Sequence, residues 1–416
     1  MGAKIAVEGF KSIGDRVEVD VAPLTLLAGA NSSGKSSLMQ AVLLLKQTIE
    51  ANYDPGPLLL HGPNVRFTST DQILHFEPQI GRASGFSVRV QDGEKSMFET
   101  RLERESAKQD LAVARFMLRS SGKDYLIEPD SDLEVFRSQM PLDFKNYKIE
   151  LRSERFWLMP VAIMKEEFRM DMLPMHFRFL QDIIHIPGLR GNPERTYPLT
   201  STGPRFPGTF ENYVASLIHH WTSSQKEKVK QLGNDLRRLG LTWKVESKKL
   251  DDTTIELRVG RLAKPVKNGA NDMVSIADVG FGVSQTLPVL VALLEATRGQ
   301  LVYIEQPEIH LHPRAQVEMA ALLVEASKRG VLVVVETHSS LILLAIQTLV
   351  ASGTLNSESV MLHWFERDQK TGVTTISSRT VDRAGRFGDW PEDFDDVSLH
   401  AQSGYLDAAE HVLSME

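Results

Sequence analysis

Residues 24–28, 301–304 and 331–335 are short apolar runs, interrupted only by Thr25, the pattern of strands buried on both faces. Other stretches alternate apolar and polar positions, as half-buried strands do. Residues 4–7 begin such a strand, which Phe10, Lys11 and Ser12 interrupt, and a second strand follows the Gly14-Asp15 turn. Residues 84–128 read as a strand meander with Gly-centred turns, and 242–261 as a hairpin. Helical spacing appears at 38–45, 165–183 and 209–239. A further apolar helix is expected from Ser284 onward, with Ser284 as its N-cap and Pro288 in its first turn. Buried strands followed by helices predict an α/β fold, with a β-rich lobe and a helical insertion. The expected division is 1–80, an inserted region 81–275, a return to the first unit at 276–350, and an extension 351–416.

Composition narrows the setting. The chain has 416 residues, 42% of them apolar, enough for a large core. No run approaches the ~18 apolar residues of a membrane span, and the first residues lack a signal-peptide core, so no membrane association and a cytoplasmic location are expected. Cysteine is absent, which excludes disulfides and thiolate chemistry. The net charge of −7 gives no overall attraction to nucleic acid. Residues 226–249 nevertheless carry eight Lys/Arg against three acids, and 382–416 carry nine acids against two arginines. The first stretch is a solvated face or a DNA- or partner-facing patch; the second is a solvated or docking tail.

The first buried run leads into a phosphate-binding signature. Gly29, Ala30, Asn31, Ser32, Ser33, Gly34, Lys35 and Ser36 match G-x-x-x-x-G-K-[ST], followed by Ser37 and an apolar helix. The glycines let backbone N–H groups curl around phosphates, Lys35 reaches the β/γ-phosphates, and the Ser36 hydroxyl suits Mg2+. A second glycine loop, with Gly282, Ser284 and Gln285, opens the helix near 284, a second place where helix amides can meet an anion. The acidic run "YIEQPEIHLHP" follows, with Glu305, Gln306 and Glu308, and the 331–335 run ends in Glu336, Thr337 and His338. Ligands sit beyond the carboxyl ends of strands in open α/β sheets, which points to these residues. His310 and His312 make a His-x-His that lacks a third nearby zinc ligand. Arg190 and Arg195, after the apolar run ending near 186, either reach phosphate or lie in a surface loop.

Taken in order, "FKS", "GANSSGKSSL", "DVGFGVSQ", "EQPEIHLHP" and "ETHS" resemble the ABC-type ATPase head, a P-loop NTPase fold. The likeness is to the branch of RecF, OLD and structural maintenance of chromosomes (SMC) proteins. It covers about 1–50 and 275–345. The segment "DRAGRFGDWPEDFDDV" is similar to the C-terminal extension of a bacterial subgroup that includes ATPase subunits of the Septu and PARIS anti-phage systems. The resemblance implies ATP and Mg2+ as cofactors and a homodimer or higher oligomer. The phosphate loop of one copy would face Ser284 of another across the nucleotide. It also implies a separate effector, such as a nuclease. A RecF-like repair ATPase that clamps DNA is the alternative. In the family pattern the acidic strand ends Asp-Glu; here it ends Glu305-Gln306. Glu305 would then serve Mg2+ with Ser36, and Gln306 can orient water but cannot accept its proton. Glu308 is the next candidate base and His338 a γ-phosphate sensor. The expectation is slow or partner-gated ATP hydrolysis.

Overall fold

The computed structural model describes residues 2–388, apart from 95, 106–109, 121, 135–147, 166–167, 172–176, 263 and 265–271, together with Ser403. Most of the acidic tail, including Asp393 to Asp396, lies outside the described residues.

The central sheet has six strands in the order Ile184–Ile186, Leu301–Glu305, Leu332–Glu336, Leu24–Gly29, Val360–Arg367 and Thr374–Thr380. The first five run parallel and the last is antiparallel. The alternation of a strand's two faces assigns its side chains to two cores. Leu24, Leu26, Ala28, Val302, Ile304, Val333 and Val335 join one core; Leu27, Leu301, Tyr303 and Val334 join the other. The runs are apolar apart from Thr25, itself buried, because both faces are covered.

Three helices, Phe281–Glu295, Pro313–Lys328 and Ser340–Ala351, bury their apolar residues in the first core. The helix Lys35–Glu50 fills the second with Leu38 and Val42 through Leu45. That core is closed by an antiparallel sheet ordered Val17–Val21, Ala3–Glu8, Gly85–Asp92, Ser96–Arg104, Leu111–Ser120 and Lys123–Ile127. The meander at 84–128 and the hairpin Val245–Lys249/Thr254–Gly260 are therefore present. The expectation for 209–239 resolves into two helices, Val214–Ser224 and Lys226–Arg238, broken at Gln225. Residues 360–380, assigned on sequence to an extension, supply two strands of the central sheet.

Two local expectations are corrected. Residues 165–183 are not one helix: Trp157–Lys165 pairs with Phe168–Asp171, and only Arg178–Gln181 is helical. Phe168 and Met170 in fact alternate with Arg169 and Asp171, a period-2 signal that strand pairing realises. The signature helix begins at Phe281, with Gly280 in the extended conformation at its cap. Ser284 thus lies inside the helix, its hydroxyl donating to the Phe281 carbonyl at 3.1 Å, and Pro288 is an interior residue.

Candidate nucleotide site

The parallel strands end side by side, so their carboxyl ends gather chemistry from distant parts of the sequence. Glu305 pairs in register with Glu336, and Glu336 with Leu27, two residues before the phosphate loop. Against these ends lies a cavity of about 720 Å³, whose lining includes Lys11, Asn31 to Ser37, Gln306, Glu336, His338 and Arg367. Four cations, Lys11, Lys35, Arg82 and Arg367, line it against two acids, Asp71 and Glu336. That balance and the row of loop amides suit a triphosphate. A cavity of similar size, about 730 Å³, lies beside Gln300 and Leu301 at the opposite end of an acidic strand, where no phosphate loop faces it.

The loop's glycines are required by its packing. Gly34 has φ 100°, and a Cβ there would lie 2.4 Å from Thr374 Oγ1 and 2.6 Å from Ser12 Oγ. The Thr374 hydroxyl is itself within 2.8 Å of Ser12 Oγ and of the Ser33 carbonyl, so it cannot easily withdraw. At Gly29 (φ 143°) a Cβ would meet the Phe365 carbonyl at 2.2 Å. Lys35 is curled onto the loop, donating to the Gly29 and Ala30 carbonyls at 2.9 and 2.6 Å. Burial lowers its pKa to about 8, against the pull of Glu336 and Glu308. Phosphate oxygens are better acceptors than these carbonyls for an ammonium ion.

Three carboxylates at the strand ends differ in their partners. Glu305 accepts from His185 Nε2 at 3.1 Å and from the Gly188 amide at 3.0 Å, and it does not line the cavity. Burial raises its pKa, but the His185 hydrogen bond and charge outweigh that, leaving it lowered. Glu308 accepts from Thr337 Oγ1 at 2.9 Å and the His338 amide at 2.7 Å, with its other oxygen buried and unbonded. Burial raises its pKa. Glu336 accepts from Ser36 Oγ at 2.9 Å and Tyr303 Oη at 2.8 Å. Its pKa is raised by burial and then by the Glu305 charge. His338 is half-buried; burial and the Lys35 charge lower its pKa, favouring the neutral ring at pH 7. Gln306, held at φ 46° with its amide donating to the Glu336 carbonyl at 2.7 Å, lines the cavity.

The expectation that Glu305 shares Mg2+ with Ser36 does not match this arrangement, because Glu336 is the carboxylate on the Ser36 hydroxyl. Hard oxygen donors of this kind fit Mg2+, which keeps several waters and phosphate oxygens as further ligands. Among the described residues no group of three His, Asp or Glu could hold a metal by itself. His310 stacks on Phe281 with centroids 5.6 Å apart, and His312 caps the helix Pro313–Lys328. Neither Arg190 nor Arg195 lines the phosphate cavity. Buried Arg190 joins the Gln285 carbonyl (3.0 Å) to the Glu305 carbonyl (2.7 Å), and Arg195 pairs with Asp278. Phe10 is a fully buried core residue, so no base stacks on it.

Gly282, Ser284 and Gln285 are absent from the phosphate cavity. Gln285 is buried and donates to the Arg190 and Gly191 carbonyls, each at 3.1 Å. Lys11, Arg82 and Arg367 were missed on sequence. Only Lys11 left a signal, the Phe-Lys-Ser interruption of the first strand.

Comparison with known proteins bears on the fold. Residues 192–345 match the family described as "AAA domain, putative AbiEii toxin, Type IV TA system", just over a third of the chain. No curated protein matches. Among solved structures, an SMC head bound to the C-terminal winged-helix domain of ScpA is similar at TM-score 0.51 and 12% identity, covering 92% of this chain and 98% of that one. The SMC head domain from Thermotoga maritima superposes at TM-score 0.43 and 13% identity, covering 92% and 99%. Together with the sheet order and the phosphate loop at its carboxyl edge, the first likeness places the chain in the SMC-head-like ABC ATPase fold, a P-loop NTPase architecture.

Proposed function

We propose that the protein binds ATP with Mg2+ and hydrolyses it slowly, as a nucleotide-sandwich dimer or larger assembly that scaffolds or controls a separate effector in anti-phage defence. One observation carries the ATPase reading: phosphate loop, Gln306 and His338 share one basic cavity, while the signature residues Gly282 and Ser284 stand outside it. A single chain therefore holds two half-sites, and a second copy would complete each. Half-exposed Phe281, at 49%, leaves the signature turn an apolar contact for such a copy.

Within the site, Lys35 and the loop amides would bind and orient the triphosphate, and Gln306 would orient water. Bound Mg2+ would neutralise charge on the β- and γ-phosphates. Glu308 would hold the His338 backbone in place and, through its unbonded oxygen, is the nearest remaining candidate for a proton acceptor. A carboxylate that lies outside the cavity, with one oxygen held by Thr337 and the His338 amide, is badly placed to take a proton from water at rest, which supports slow turnover.

The effector and defence role rest on the C-terminal resemblance and on the toxin–antitoxin description of the matching family. Co-purification with the product of the neighbouring gene tests them; a chain that stays alone would count against them. The DNA-clamp alternative gains no support from residues 226–249. Lys228, Lys230, Arg238, Lys244 and Lys249 all pair with acids of this chain. ATP hydrolysis is tested by phosphate release from wild type and Lys35→Ala. A wild-type rate no higher than the variant's would refute an ATPase.

A further inference from the structure

Two carboxylates end neighbouring strands in register, and only one of them lines the phosphate cavity. We infer that Glu336, not Glu305, is the protein carboxylate that holds the divalent cation beside Ser36, and that Glu305 anchors the loop beginning at Gly188. The inference deepens the ATP-binding reading and rests on it.

Both Glu305 oxygens are already committed. Oε1 meets His185 and Oε2 the Gly188 amide. His185 is itself fixed: it is buried, lies nearly parallel to Tyr303 with 5.5 Å between centroids, and places Nδ1 3.0 Å from the Asn64 side chain. The Glu305 carbonyl is held as well, by Arg190. Moving this carboxylate to the phosphate loop would break both of its hydrogen bonds in a buried setting, where stranded polar groups are costly.

Glu336 has the opposite character. It lines the cavity, its Oε1 lies 2.9 Å from the hydroxyl of the loop serine, and Tyr303 steadies its other oxygen. It is only 4% exposed, yet among the described residues no cationic group lies within ion-pairing distance of it. Lys35 is turned toward the loop carbonyls instead. A buried carboxylate without an ion pair is costly unless a cation arrives. Ser36 and Glu336 together offer two hard oxygens on one side of the cavity, the minimum a magnesium ion takes from protein beside phosphates and water.

The test uses Mn2+ as the probe. Its affinity for the full-length protein, saturated with a non-hydrolysable ATP analogue, is read by electron paramagnetic resonance for wild type, Glu336→Gln and Glu305→Gln. Analogue binding in EDTA is measured beside it. The expected result is a loss of about 10–100-fold in Mn2+ affinity for Glu336→Gln, less than about twofold for Glu305→Gln, and unchanged metal-free analogue binding in both. Should Glu336→Gln fail to fold, Glu305→Gln decides alone: retained affinity supports the assignment and a tenfold loss overturns it. Unchanged affinity in Glu336→Gln, or equal losses in both variants, also overturns it. A wild type that binds no analogue either with Mn2+ or in EDTA refutes the nucleotide reading itself, and this assignment with it.

Discussion

At the scale of single residues, the site depends on side chains with no spare room and no spare partners. Gly34 is the sharpest case, since a Cβ meets two hydroxyls below 3.0 Å at a φ that L-residues disfavour. Gly34→Ala should weaken nucleotide binding about tenfold or more and lower the unfolding temperature, whereas alanine at Gly280, where nothing lies within 4 Å, should do neither. Calorimetric titration and thermal melts check both. Lys35→Ala removes the charged donor to phosphate. A charged hydrogen bond is worth about 1.5–3 kcal/mol, so affinity should fall roughly 10–100-fold. Glu308→Gln leaves shape but changes the acceptor of the His338 amide and removes the carboxylate proposed as proton acceptor. Turnover should fall about 10²–10⁴-fold with nucleotide affinity preserved. An unchanged rate would show that Gln306 and His338 suffice for water.

At the scale of elements, much of the site was legible because it is built on strand ends. The apolar runs at 24–28, 301–304 and 331–335 became three adjacent strands of one sheet. What sequence could not show is where side chains turn once the strands are aligned. Glu305 and Glu336 look alike on sequence, each the first acid after a buried run. Only the edge strand Ile184–Ile186, bringing His185 and the Gly188 amide, distinguishes them. Arg367 was invisible for a related reason: it ends a strand beside the phosphate-loop strand, far along the chain. The early start of the signature helix was hidden too, because Gly280 caps it with no side chain to announce the cap.

The helix Lys226–Arg238 supplies a stability prediction. Asp235 is buried, with Gln231 Nε2 at 2.8 Å and Arg238 no nearer than 3.9 Å. Burial raises its pKa to about 6 from an ordinary 3.8. The native state thus prefers the protonated acid. That preference favours folding fully below about pH 3.8 and is lost as pH rises to about 6, so the ionised group costs up to about 3 kcal/mol above that. Asp235→Asn should therefore raise stability at pH 8 by more than at pH 4.5, as denaturant titrations at the two pH values would show. Equal effects at both would mean that Asp235 is not buried as described.

At the scale of the whole molecule, the proposed function makes the chain one half of an assembly. Nucleotide would act as the adhesive between copies, since the phosphate cavity and the signature turn are separate in one chain. Arg190 ties these parts within a copy: it binds the signature helix at the Gln285 carbonyl and the acidic strand at the Glu305 carbonyl. Its burial lowers its pKa to about 10, so it stays charged at neutral pH. Arg190→Lys, which loses the forked geometry, should weaken ATP-dependent assembly more than ATP binding by a single copy. Sedimentation with and without ATP would distinguish the two.

The natural absence of cysteine makes site-directed cross-linking direct. Two single-cysteine variants, Asn31→Cys on the phosphate loop and Phe281→Cys at the signature turn, are mixed in the Glu308→Gln background and treated with a short bismaleimide. The account predicts a mixed cross-linked dimer that forms with ATP and Mg2+ and disappears with EDTA or when Lys35 is replaced. No mixed product with ATP, or the same yield without it, would contradict the shared-nucleotide assembly.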